Sequence, residues 1–238
     1  MKKFELTAEF VTNVFGKKLF RIKALIAFGN VEKGELGGFI EKEDNLSHDG
    51  NAWVSGNAWV SGNALVFGNA WVSGDAWVSG NALVSGNALV SGDARVSGNA
   101  WVSGNALVSG DARVSGDARV SGNARVSGNA LVFGDARVSG NAWVSGNALV
   151  SGDALVSGDA DYAVVTGFGH CFRATTFFRC KDKMLRVQCG CFYGDLAQFR
   201  EIVKKTHGDS KYAKEYLAIA DLMELHFSDE EKNQEADK

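Results

Sequence analysis

From residue 50 onward one hexad, Gly-[Asn/Asp]-Ala-X-Val-Ser, begins nineteen times in unbroken register, first at Gly50 and last at Gly158, with nothing inserted or deleted. Proline is absent from the chain, so glycine alone marks the period. Gly-Asn or Gly-Asp every six residues is a turn signal that recurs too fast for helices. Between turns, Ala-X-Val alternates small, large and aliphatic. That is the pattern of a very short strand with Ala and Val on one face and X on the other. Glycine and asparagine tolerate positive φ, so the corner between strands can turn where a β-branched residue could not.

Strands this short cannot pair with their sequence neighbours as hairpins, because the two-residue turns would leave almost no strand between them. Stacking is the alternative. With three hexads to a coil, residues 18 apart lie above one another at about 4.8 Å, and each backbone bonds to the coils above and below. Ala52, Ala70 and Ala88 then form one interior ladder, and Val54, Val72 and Val90 another. A single coil cannot stand alone: ordering six residues costs roughly 6 to 12 kcal/mol, against about 1.5 to 3 kcal/mol for one buried valine. Bonds and contacts between coils must supply the difference, so such chains fold as stacks with capped ends. The expected fold class is mainly β: a parallel β-helix of about six coils over residues 50–160. A small N-terminal β cap with a first imperfect coil (1–49) precedes it. A C-terminal α+β module (161–227) and an acidic disordered tail (228–238) follow.

The pieces outside the repeat read less sharply. Phe10-Val11-Thr12, a turn near Gly16-Lys17-Lys18 and the alternating run 19–25 predict a small hairpin. Leu36-Gly37-Gly38-Phe39-Ile40 leads to Leu46 six residues after Ile40, which predicts the first coil, with a two-residue slip around His48-Asp49 before the regular register. After Ala160, residues 172–179 and 184–193 predict two strands joined at Lys181-Asp182-Lys183. Asp195 and Gln198 form a capping box for a helix over 196–205, and Ser210 caps a second helix whose Tyr212, Tyr216, Leu217, Ala220, Met223 and Phe227 share a face.

The X position is the variable one. It carries Trp53, Trp59, Trp71, Trp77, Trp101 and Trp143, seven leucines, then Arg95, Arg113, Arg119, Arg125 and Arg137, and finally Asp161. Thirteen of its nineteen occupants are apolar, which predicts more contiguous outer apolar surface than a soluble monomer usually shows and therefore burial against copies or a partner. The competing reading is packing along the ladders, with Trp53 on Trp71 and with Asp93 and Asp111 offsetting Arg95 and Arg113 two residues on. Trp and Arg together also admit single-stranded nucleic acid, but Asp93, Asp111, Asp117 and Asp135 cancel most of the field such binding needs.

The formal charge of −3 has no long run of one sign, and no apolar stretch approaches the length of a membrane helix. Met1-Lys2-Lys3-Phe4 does not lead into a signal-peptide core, which predicts a cytoplasmic protein with free thiols. His170, Cys171, Cys180, Cys189 and Cys191 lack a standard zinc spacing, and pairing about Asp182 would turn Cys180 away from the others. No metal and no cofactor are expected. His207 reads as a helix-end residue.

Read as Ala-X-Val-Ser-Gly-Asn, the hexad resembles the repeat of left-handed parallel β-helix proteins, and the left hand rests on that resemblance alone, since parallel crossovers are generally right-handed. Enzymes of that class form trimers through their helical faces, so the resemblance implies a homotrimer. Their acyl transfer uses a histidine in the coils and an extruded loop. Residues 50–159 hold no His, Cys or Lys and no insertion, so acyltransferase is the weaker reading and no catalytic residue is assigned. The leader Leu36-Gly37-Gly38-Phe39-Ile40-Glu41 to Asn45-Leu46-Ser47 resembles that of phage and prophage hexapeptide-repeat proteins, as does Cys189-Gly190-Cys191-Phe192-Tyr193-Gly194-Asp195-Leu196 with Thr206-His207-Gly208-Asp209. That resemblance brings no activity. It implies a phage-type binding scaffold in the host cytoplasm, suited to counter-defence, that binds a host protein through its Trp and Arg faces. Its alternatives are a small anionic, nucleotide-like ligand held in the C-terminal module by His170, Arg173, Arg179, Arg186 and His207, and a virion or filament part.

Overall fold

A computed structural model describes residues 1–228; the predicted acidic tail lies outside the described residues apart from Ser228. Strands β1 (Phe4–Thr12), β2 (Lys18–Ala24) and β3 (Leu36–Ile40) open the chain, followed by eighteen two-residue strands from β4 (Trp53–Val54) to β21 (Leu155–Val156). They stack as three parallel sheets, one residue in every 18 directly over the next: Trp53 over Trp71, Leu89 over Leu107, Arg95 over Arg113. The chain is thus a parallel β-solenoid. Six regular coils sit on an irregular first one, in which Phe39 pairs with Trp59 and Leu46 with Val66, both 20 residues apart. The extra two residues are the slip expected near His48.

Each coil is held as the stacking argument requires. Alanine and valine of every regular hexad through Val156 are buried, forming one continuous core. Around Leu89, Asn87 N–H donates to Gly104 O (2.7 Å), Leu89 N–H to Ala106 O (2.9 Å) and Ser91 N–H to Val108 O (2.9 Å), so three backbone donors of this hexad reach the next coil. The corner glycines have positive φ; at Gly104 (φ 69°) a Cβ would stand 2.9 Å from Gly122 N and O. One corner is asparagine in all six regular coils, and its side chains bond rung to rung from Asn51 to Asn141. The other two carry aspartate in the middle or final coils, where a rung of two acceptors cannot continue the chain of bonds.

The N-terminal hairpin is longer than the sequence suggested, because β1 begins at Phe4. Its partner β2 also pairs antiparallel with β3, and β3 runs parallel to β5 (Trp59–Val60), so the cap's sheet flows into one solenoid face. Polar side chains complete the first coil. Lys3 Nζ donates to Ala52 O (2.9 Å) and Gly50 O (3.3 Å), and Asn45 Nδ2 to Ala64 O (2.7 Å) and Gly62 O (3.1 Å). Glu41 accepts from Gly62 N–H (2.7 Å), and His48 bridges Lys3 N–H (3.1 Å) and Glu43 (2.7 Å).

The C-terminal module departs further from expectation. Instead of one long hairpin it holds four antiparallel strands in sequence order: β22 (Tyr162–Val165), β23 (Thr175–Arg179), β24 (Leu185–Cys189) and β25 (Phe192–Asp195). One face of this sheet, with Phe178 and Cys180, joins the solenoid core; the other, with Phe177 and Val187, packs on helices α1 (Leu196–His207) and α2 (Lys211–His226). With both faces covered, four successive residues of β23 are buried and the usual alternation vanishes. Thr176 Oγ1 accepts from Leu149 N–H (2.9 Å), Ser151 Oγ donates to Gln188 (3.0 Å), and Ala154 bridges to Cys180. Both caps on the helices form as read: the Asp195–Gln198 box and Ser210 on Ala213 N–H. On α2 the buried face is Ala213, Tyr216, Ile219, Ala220 and Met223, while Tyr212 and Leu217 are half-covered. No helix among the described residues is long and apolar enough to cross a membrane.

Candidate functional site

The outward rungs divide sharply by position along the solenoid. Trp53 is fully buried: the loop after β2 brings the Phe28 ring edge-on to its indole at 5.4 Å. It cannot meet a partner, contrary to the sequence reading. Trp59, Trp71 and Trp77 are half-buried. Trp59 and Trp77 meet edge to face at 6.1 Å, and the indole N–H groups of Trp71 and Trp77 donate to Ser55 and Ser61 on the preceding coil. These are ladder contacts. Of the thirteen apolar X residues only Leu89, Trp101 (40% exposed), Trp143 (52%) and Leu155 stand open, so the broad outer apolar surface expected from sequence shrinks to four rungs.

Arg95, Arg113, Arg119, Arg125 and Arg137 are all exposed. Arg95 stands over Trp77 and Arg119 over Trp101, with guanidinium carbons 5.8 and 5.9 Å from the ring centroids. Arg95 lies in register with Arg113, and Arg119 with Arg137. Contrary to the offset expected from Asp93 and Asp111, the corner aspartates do not neutralise them by contact; among the described residues none of the five forms an ion pair. Like charges stacked in register are unfavourable, and here they are relieved only by solvent and an aromatic face. On one side of the solenoid, Trp101, Arg119, Arg137 and Leu155 make four successive exposed rungs.

The five ligand candidates of the module do not converge as a set. Arg186 pairs with Asp182 (2.6 Å), and Arg179 donates to Phe227 O (2.9 Å) near Asp161 (4.0 Å). Neither lines the cavity where the others meet, because Arg179 and Arg186 are consumed in holding the β23–β24 turn and the end of α2. His170, Arg173 and His207 do converge, on a cavity of about 260 Å³. The remaining walls are Cys171, Cys189, Gly190 and Phe192 from the sheet side, Phe199, Ile202, Val203 and Thr206 from α1, and Tyr216 from α2; of these, Phe199, Ile202 and Val203 carry no mark in the sequence reading.

Tyr216 is the keystone of that cavity. Burial, with the neighbouring Cys189 thiol next in weight, pushes its phenol up to about 12. Any side chain at Gly169 (φ 68°) would collide with its hydroxyl. His207 lies against its ring (5.8 Å, 31°), and His170 meets Tyr212 edge-on at 5.6 Å. Cys189 accepts from Thr175 Oγ1 (3.1 Å), whereas Cys180 lies on the opposite side of the sheet, where burial raises its thiol pKa. Among the described residues no three His, Cys, Asp or Glu side chains are grouped to hold a metal ion.

Residues 58–74, and overlapping segments that together run from 76 to 158, match the family model described as the YdcK beta solenoid repeat. No curated protein matches the chain. The matched segments are the coils themselves, and with their stacking in register they make this chain a β-solenoid repeat protein, similar in its repeat to that family.

Proposed function

We propose that the protein is a non-catalytic binding scaffold. The solenoid is its rigid body, and the surface of Trp101, Arg119, Arg137 and Leu155 docks an acidic region of a partner protein. The observation that carries this reading is the pair Arg119 and Arg137, stacked in register, exposed and, among the described residues, without an ion pair. An acidic partner relieves that repulsion, and arginine beside tryptophan is the composition of interface hot spots. The resemblance to phage hexapeptide-repeat proteins makes the partner a host protein in the host cytoplasm, met in counter-defence, and the hexapeptide class makes the assembly a homotrimer. The coils supply no histidine, lysine or cysteine for chemistry between residues 50 and 159. A filament is disfavoured, because cap residues engage both ends of the solenoid.

The test is Arg119→Glu with Arg137→Glu. The double variant keeps the melting temperature and sedimentation behaviour of the parent but loses the proteins that co-purify with it from host lysate. Retention of the same proteins by the double variant removes the reading. Sedimentation of the parent as a compact trimer, against monomer or open polymer, decides the assembly.

A further inference from the structure

The cavity of the C-terminal module is unlike the solenoid surface, for it is concave, mostly apolar and carries one full positive charge. Phe192, Phe199, Ile202 and Val203 give it an apolar wall, and Arg173 stands at its margin. Among the described residues Arg173 has no ion pair and no side-chain hydrogen bond. One of its terminal nitrogens lies 3.0 Å from where a Cβ on Gly190 would be, so glycine at φ 58° keeps that place clear. Glu215, the carboxylate beside Tyr216, is already engaged by Gly169 N–H (3.0 Å) and Lys211 (3.4 Å). The carbonyl end of α1, which would repel an anion, is offset by Lys204, Lys205 and His207 in its last turn.

We infer that this cavity binds a small organic anion with a flat apolar body and a single anionic head. The body lies against Phe192 and Phe199, and the head pairs with Arg173, whose planar fork suits a carboxylate or phosphoryl group. His170 and His207 line the same space and supply further ring N–H donors. A cavity of about 260 Å³ accommodates one or two fused rings, and it lies below the roughly 300–1,000 Å³ typical of sites for larger ligands. The structure thereby narrows the ligand class: with Arg179 and Arg186 turned elsewhere, one guanidinium matches one anionic group better than a polyphosphate chain.

The test uses 2-naphthoate as probe, 2-methylnaphthalene as its uncharged counterpart and inorganic phosphate as the head alone, each titrated into the full chain by calorimetry or ligand fluorescence. Naphthoate saturates at one molecule per chain, and Arg173→Gln weakens it at least about tenfold while leaving 2-methylnaphthalene unchanged. Ile202→Trp, which fills the cavity from α1, abolishes binding of both while the circular dichroism spectrum stays that of the parent. The inference is overturned if naphthoate fails to saturate, if its affinity is indifferent to both substitutions, or if phosphate alone binds as tightly as naphthoate.

Discussion

The coils and the pieces that cap them solve the same problem in opposite ways. In a coil, a residue's neighbours are its own equivalents 18 positions away: Val90 touches the strand of Val72 below and Val108 above, and the next valine does the same. In the C-terminal module, Phe177 and Phe178 are adjacent in sequence and belong to two different cores. A coil is therefore specified by six residues and their repetition. A cap is specified by which particular side chains happen to close which particular end. Repetition spreads stability evenly along the stack, whereas the caps concentrate it in a few contacts.

The largest expected break in that comparison comes from the two phenylalanines. Phe178→Ala and Phe177→Ala each cost about 3 to 5 kcal/mol locally, but in different places. Phe178→Ala loosens the module from the coils and raises hydrogen exchange in both β21 and β23. Phe177→Ala melts the helices from the sheet and leaves exchange in the coils as it was. If both substitutions give the same exchange pattern, the module and the solenoid share one core after all.

The N-terminal cap offers a sharper, pH-dependent contrast. Burial, partly offset by Asp49, pulls the Lys3 ammonium down from 10.5 to about 8. Between those values the unfolded chain holds a proton that the folded chain has released, so stability rises with pH across that window and levels off above it. Below pH 8 both states are protonated and Lys3 contributes no slope. Lys3→Met removes that gain. Denaturant unfolding of parent and variant at pH 7.5, 9 and 10.5 measures the difference, with the parent gaining stability relative to the variant as pH rises.

The smallest effect compares two glycines. Gly104→Ala, at a coil corner where a Cβ meets the next coil at 2.9 Å, lowers stability by about 2 kcal/mol. Gly208→Ala, after α1 with nothing within 4 Å of the new methyl, costs about 1 kcal/mol or less. Equal losses in thermal melts would mean that close stacking of coils adds nothing to the backbone strain.

Much of the solenoid is legible because its contacts are set by the period. The three faces, the buried Ala and Val, the slip before residue 50 and both helix caps follow from spacing and side-chain type. The candidate site is legible only in part. His170, Arg173 and His207 meet in one cavity, but Phe192, Phe199 and Tyr216, which shape it, look like ordinary core residues until the sheet and helices are placed. Arg179 and Arg186 looked equally available, and each is taken by a neighbour that alternation along a strand cannot identify.

Trp53 and Trp143 mark the boundary between the two kinds of knowledge. Each sits in the same hexad, Asn-Ala-Trp-Val-Ser-Gly, yet Trp53 is fully buried and Trp143 is 52% exposed. The hexad by itself determined that both indoles point away from the solenoid axis, because strand periodicity fixes the side of the sheet on which a residue lies. Only the tertiary structure decided what covers them: Phe28 folds back over the first coil, while Tyr162 of the module donates to the Trp143 backbone carbonyl and leaves the indole half open. Burial outside a repeat is a property of what arrives from elsewhere in the chain, and no local period encodes that.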